Sequence, residues 1–262
     1  MKWAFKFIEK LMVKYLLHLN QVILKDNKIW WRDDDSFEVK DEFIDLIEFQ
    51  KRRNINVYLS IIPSKMTKEF IQNVNNTNGA YVFPHGYAHI NHSDDDARLN
   101  EYPETRDSDQ ISYEISESVK KLKVNFPSKY LPVFVPPWEH YSAQLLAILP
   151  KYGLRTISLS GYNEDLLKPL MQLNVQINFH TYKNISADRY IVYHKNLFSI
   201  CKEIISVAKN NRSNGKIGFI THHNDMNKDD WNNYNFILSE LNKVGCQELP
   251  YNEMRSIISE RN

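Results

Sequence analysis

The sequence has few cysteines, few glycines and almost no excess charge: two Cys, seven Gly, and 33 Lys plus Arg against 32 Asp plus Glu in 262 residues. Two cysteines, Cys201 and Cys246, make neither a disulfide framework nor a zinc-ribbon spacing. They read as small, buried or part-buried thiols. A formal charge of +1 creates no global basic field, so no nucleic-acid partner is expected. There is no Gly/Ser tract, no low-complexity segment and no internal repeat, which argues for one continuous domain. No apolar run approaches the roughly 18 residues of a membrane span. The first twenty residues lack both a clean hydrophobic core segment and a small-residue cleavage site, so no secretory signal is expected.

What is present is a sizeable core: 42% hydrophobic residues and 13% aromatics exclude disorder and fibrous architectures. Residues 1–20 read as a basic amphipathic helix interrupted by Lys6, Glu9, Lys10 and Lys14. Either it packs on the domain, or Trp3, Phe7, Leu11 and the lysines dock on a membrane surface. The expected location is cytoplasmic, with peripheral membrane contact through residues 1–20 as the second element.

Beyond residue 20, short apolar runs alternate with helical periodicity. Strands are expected at 28–32, 56–62, 80–83, 132–135, 155–159, 175–179 and 216–221. Helices are expected at 41–53, 64–74, 109–126, 142–152, 193–209, 229–244 and 252–259. This alternation implies βαβ crossovers and a parallel sheet, and seven such units suggest a barrel or an irregular relative of one. Parallel barrels carry their chemistry at the strand C-terminal ends.

Those ends are where the polar residues gather. Asp33-Asp34-Asp35 follows the first strand, His85-Gly86-Tyr87-Ala88-His89 and then His92 follow the third, and Pro136-Pro137-Trp138-Glu139-His140 follow the fourth. His180 follows 175–179, and His222-His223 follow 216–221, so seven of the nine histidines occupy such positions. His85 and His89 lie four apart, and on a helical turn they would face one ion. A carboxylate from another strand would complete a His-His-Asp set with positions open for water and substrate. His92, at i+7, is a third ligand, a substrate contact or a structural hydrogen bonder. Asp94–Asp96 has no strand end beside it and reads as a solvated turn.

These strings resemble the polysaccharide deacetylases of the NodB-homology type, carbohydrate esterase family four. The strand ending in acids is similar to Arg32-Asp33-Asp34-Asp35, and His-x-x-x-His matches His85 and His89. The proline-aromatic motif is similar to Val135-Pro136-Pro137-Trp138, and Leu-x-His matches Ile220-Thr221-His222. Order and spacing agree over residues 28–241. The resemblance implies a single α/β domain, a distorted (β/α)7 barrel over 21–262, and a divalent metal, most often Zn2+. It also implies removal of an N-acetyl group from a saccharide.

Carried over by residue, Asp35, His85 and His89 hold the metal, Asp34 is the general base and His222 the general acid. The Trp138 backbone, following Pro137, contacts the oxyanion. Asp33 is then a supporting or metal-proximal group, and His223 exchanges with His222 if the register shifts by one. The family's Arg before the prolines is Val135 here, and Arg32 is the residue that can replace it. The Asp that tunes the catalytic His has no clear match, with Asp188 and Asp225 as candidates, and His180 is an additional site candidate. Two other functions share these residues: a metal-dependent amidase on another C–N substrate, and a non-catalytic glycan-binding barrel.

Overall fold

The computed structural model describes residues 2–94, 98–160, 170–186, 189–210 and 215–259. Asp95, Asp96 and Asp188 of the sequence reading lie outside them. In chain order the elements are α1 (Lys2–Leu19), α2 (Gln21–Leu24), β1 (Lys28–Ser36), α3 (Asp41–Arg53), β2 (Val57–Ile61), α4 (Lys68–Asn76) and β3 (Ala80–Pro84). Next come α5 (Ser108–Asn125), β4 (Val133–Phe134), α6 (Ala143–Ile148), β5 (Thr156–Ile157), β6 (Met171–Gln172) and β7 (Ile177–Asn178). The chain continues with β8 (His180–Ser186), β9 (Arg189–His194), α7 (Leu197–Asn210), β10 (Lys216–Thr221), α8 (Lys228–Lys243), β11 (Gln247–Glu248) and α9 (Tyr251–Ser259).

Strands β3-β2-β1-β10-β7 form one parallel ladder, and β4-β5-β6 form another. Single bridges join them: Val82 to Tyr130 and His85 to Val135 on one side, Ser160 to Val175 on the other. The stretch 171–178 pairs with β5 through its first half and with β10 through its second. Seven parallel segments therefore follow one another in the expected distorted (β/α)7 arrangement, although among the described residues no continuous ladder closes the ring.

The pleat of β1 divides its side chains between two layers. Trp30 joins an interior cluster with Tyr58, Phe83, Val133, Val135, Val175 and Ile220, to which α9 adds Met254 and Ile258. Trp31 points the other way, into the helix layer with Phe43, Phe49 and Tyr234. Burying an aromatic side chain of this size is worth roughly 2–3 kcal/mol, so this alternation pins the register of the strand that carries the acids.

The helices follow local rules. Asp41 and Glu42 open α3, and Lys51, Arg52 and Arg53 close it, matching the helix dipole. Asn227 and Asp230 form a capping box on α8. Helix α1 packs on the domain by Val13 and Leu17, and its Glu9 accepts the backbone N–H of Phe198. Its other face leaves Phe5, Ile8, Leu11, Met12, Tyr15 and Leu19 exposed. No helix among the described residues is long and apolar enough to cross a membrane.

Two expectations change. Strand β1 extends to Ser36, so the three acids lie within it rather than after it. Residues 193–209 are not one helix: His194 ends the antiparallel hairpin β8–β9, and α7 starts at Leu197.

Candidate active site

Asp33 and Asp34 face opposite layers, as neighbours in a strand must. Asp33 is fully buried on the helix side, where it accepts from the Thr221 hydroxyl and lies 2.6 Å from His223 Nδ1. His223 is therefore committed behind the sheet. Burial would lower its pKa, but Asp33 outweighs this and holds it above the ordinary imidazole value. The metal-proximal role considered for Asp33 is corrected by that geometry, and so is the exchange of His223 for His222.

Asp34 points inward and meets Arg32, two residues earlier on the same side of β1. Arg32 Nε lies 2.9 Å from Asp34 Oδ1, and Nη2 donates to Oδ2 at 2.9 Å. Nη1 donates to the Ser158 hydroxyl, and Glu139 lies 3.8 Å from Nη2. Arg32 is thus the cation paired with Asp34, at a rim where Val135 offers no charge. Burial alone would raise the Asp34 carboxyl, but Arg32, then His85 and His222, outweigh it and hold it below the usual carboxylate range.

A bulge brings Asp35 to the same side as Asp34. The β1–β2 register shifts between Asp33 and Ser36, and Asp35 adopts φ 63°. Asp35 Oδ1 then sits 3.3 Å from His85 Nε2 and 3.2 Å from His89 Nε2. Four of the five non-glycine residues with positive φ among the described residues are Asp35, His89, Trp138 and Glu139. Backbone strain is thus concentrated at this rim, as it is at functional sites generally.

No helix carries His85 and His89; the reading of a helical turn is corrected. Gly86 has φ 59° and His89 φ 52°, which end any right-handed turn. The loop is shaped by Glu101 instead, a fully buried residue with no signal in the local sequence. Its carboxylate accepts the backbone N–H groups of Ala88 at 2.7 Å, His89 at 3.1 Å and Tyr87 at 3.3 Å. Burial pushes Glu101 up to about 7, against those hydrogen bonds. A Cβ on Gly86 would strike the Glu101 carboxylate and Pro137, so glycine is required there. The His92 backbone N–H donates to the Asn100 carbonyl, and among the described residues His92 belongs to no ligand group.

The donor set suits a divalent ion. Asp35, His85 and His89 each offer one atom, all within 4.8 Å of one another. His85 Nδ1 lies 3.0 Å from the Val135 carbonyl; in the neutral ring Nδ1–H donates there and Nε2 turns its lone pair toward Asp35. Asp35 Oδ1 is buried without a hydrogen-bond partner. Against the effect of burial, Asp35 holds His85 above the ordinary imidazole value, and a cation bound there would take the place of that shared proton. Burial lowers His89 to about 4, so its ring is neutral and available as a ligand.

Trp138, held in a 3-10 turn that begins at the buried Pro137, sets its ring 4.2 Å from that of His89. His222 follows β10 at the rim, with its Nδ1 3.0 Å from the Tyr182 hydroxyl. Asp225 faces the same hydroxyl, which burial and that charge keep protonated. Tyr182, on the unanticipated hairpin, is the partner of His222 that the sequence did not reveal. His180 lies deeper, 3.5 Å from the Tyr182 hydroxyl through Nδ1 and beside Asp230.

No protein-family model and no curated protein matches the sequence. Solved structures do match. A proposed polysaccharide deacetylase from Mycobacterium smegmatis aligns with TM-score 0.62 and 12% identity over 89% of this chain and 90% of its own. A family 4 acetyl xylan esterase from Clostridium thermocellum, in complex with a cobalt ion, gives TM-score 0.54 and 11% identity over 87% and 90%. A CE4 family pseudoenzyme from Bacillus anthracis gives TM-score 0.52 and 9% identity over 85% of this chain and 63% of its own. The chain shares the fold of these family 4 carbohydrate esterases and polysaccharide deacetylases, at 9–12% identity.

Proposed function

We propose that the protein is a metal-dependent hydrolase that removes an N-acetyl group from a saccharide. The observation that carries this is Asp34: an ionised carboxylate held by Arg32, next to a His-His-Asp set and within electrostatic reach of His222. The fold is shared with proteins named for acetylated or polysaccharide substrates.

Asp35, His85 and His89 would hold the ion, taken as zinc from its nitrogen and oxygen donors. When bound, it supplies a Lewis acid for the acetyl carbonyl and for a water. The chain's own groups do the rest. Asp34 accepts a proton from the attacking water, and Arg32 keeps it ionised and oriented. The Trp138 backbone N–H donates to the carbonyl oxygen as negative charge develops on it. His222, steadied at Nδ1 by Tyr182, donates a proton to the departing amine. The products are acetate and a free amino sugar.

A substrate panel tests this with the zinc-loaded protein: N-acetylated chitooligosaccharides, O-acetylated xylooligosaccharides and a cyclic imide. Acetate with a free amine from the first is the expected result. Turnover of the imide alone would transfer the site to the amidase reading. Saccharide binding without turnover of any substrate would leave a glycan-binding barrel.

The exposed apolar face of α1 supports a second element, contact with a membrane surface where a lipid-linked glycan precursor is met. Anionic vesicles should sediment the wild type and leave a Leu11→Glu/Leu19→Glu variant in solution. Equal sedimentation would remove that element.

A further inference from the structure

A second group of imidazoles and a carboxylate lies at the root of the β8–β9 hairpin. The hairpin register sets His180 directly opposite His194, with ring centroids 4.8 Å apart. Asp230, at the start of α8, meets both: its Oδ2 is 3.3 Å from His180 Nε2 and 2.8 Å from His194 Nδ1. The three atoms lie within 4.8 Å of one another, as they do in the Asp35 group, and no other such group occurs among the described residues. The side chains of His180 and Asp230 are 0% and 3% exposed, whereas that of His194 is 41% exposed. His194 opens onto a cleft of about 850 Å³ that Asn227 and Asp229 also line. An ion therefore has both a buried seat and a way in.

His194 Nδ1 and His180 Nε2 both lie within hydrogen-bond distance of Asp230 Oδ2, at 2.8 Å and 3.3 Å, so one carboxylate oxygen draws both rings to a single point. The Asn227 side-chain oxygen accepts from the backbone of Asp229 at 2.8 Å and of Asp230 at 3.1 Å, which fixes the orientation of its amide. Its Nδ2 therefore points a donor at His194 Nδ1 from 3.2 Å. His194 Nδ1 lies 2.8 Å from a carboxylate oxygen that already accepts the Asn227 backbone N–H. A divalent cation takes the place of the protons otherwise shared between these ring nitrogens and that oxygen.

We propose that His180, His194 and Asp230 form a second divalent-metal site, for an ion of the zinc class. The ion ties the hairpin to α8. The hairpin carries Tyr182, whose hydroxyl contacts both His180 and His222, so the site holds in place the residue that steadies His222. The inference is independent of the function proposed above.

Elemental mass spectrometry on the full chain, loaded with Zn2+ alone and desalted, tests it. The wild type should hold two zinc ions per chain, His85→Ala/His89→Ala one, and that variant with His194→Ala none. Zinc should also raise the melting temperature of the His85→Ala/His89→Ala variant. That variant, folded by circular dichroism but free of zinc and unshifted in melting, would overturn the second site while leaving the first. One ion in both wild type and His85→Ala/His89→Ala would keep the second site and remove the first. Should the double variant not fold, wild type against His194→Ala gives the same subtraction, and equal zinc contents would overturn the proposal.

Discussion

Arg32 and Asp34 show how much of the site rests on two residues of one strand. Both are buried, and a buried ion pair depends strongly on having both partners: removing one costs about 3–5 kcal/mol. Arg32→Met should lose stability on that scale by denaturant melts. Adding Asp34→Asn should cost far less than its effect alone, because no stranded carboxylate remains. The pH sign follows from the lowered Asp34 pKa. Its contribution to stability is present above the ordinary carboxylate value and is lost as pH falls through the depressed one. Without Arg32 the carboxyl titrates higher, so the acid limb of kcat/KM should move to higher pH. An unmoved limb would mean that Arg32 does not set the state of Asp34. The Arg32 assignment was open to sequence reasoning, because i and i+2 share a face of a strand. The side chosen by Asp35 was not, because alternation places it opposite Asp34 and only a bulge brings it back.

Among the elements, the strands were legible and two connections were not. Apolar runs such as Val57–Ile61 are buried throughout and announce themselves. The β8–β9 hairpin gives no such signal, because much of a two-stranded ribbon meets solvent: Tyr190, Ile191 and Tyr193 are all exposed. The loop after β3 carries histidines four apart, which fit a helical period, although Gly86 beside them marks a left-handed turn. Its architect, Glu101, is held by the fold and not by any local pattern. Outer partners of metal ligands typically contribute 10–100-fold to affinity. Glu101→Ala should therefore weaken zinc binding at the His85–His89 loop by about that factor in chelator competition. Unchanged affinity would show that the loop holds its shape without it.

At the scale of the molecule, seven parallel segments bring β1, β3, β4 and β10 to one rim, so that residues nearly 190 positions apart share a cleft. Asp34 and His222 come from neighbouring strands, joined along the register from Lys28–Lys216 to Asp33–Thr221. Order along the chain and placement at strand ends were enough to find this rim in the sequence. Identities of 9–12% with the three solved neighbours explain why the fold persists where sequence matching fails. A barrel constrains which positions are apolar, whereas the rim constrains a handful of polar side chains.

The most direct measurement of the central claim is acetate release from an N-acetylated chitooligosaccharide by the zinc-loaded wild type and by Asp34→Asn, with zinc content determined on the same samples. Asp34→Asn should keep its zinc and lose activity by about 10²–10⁴-fold, the contribution of a general base. Acetate release by Asp34→Asn at the wild-type rate would contradict the account.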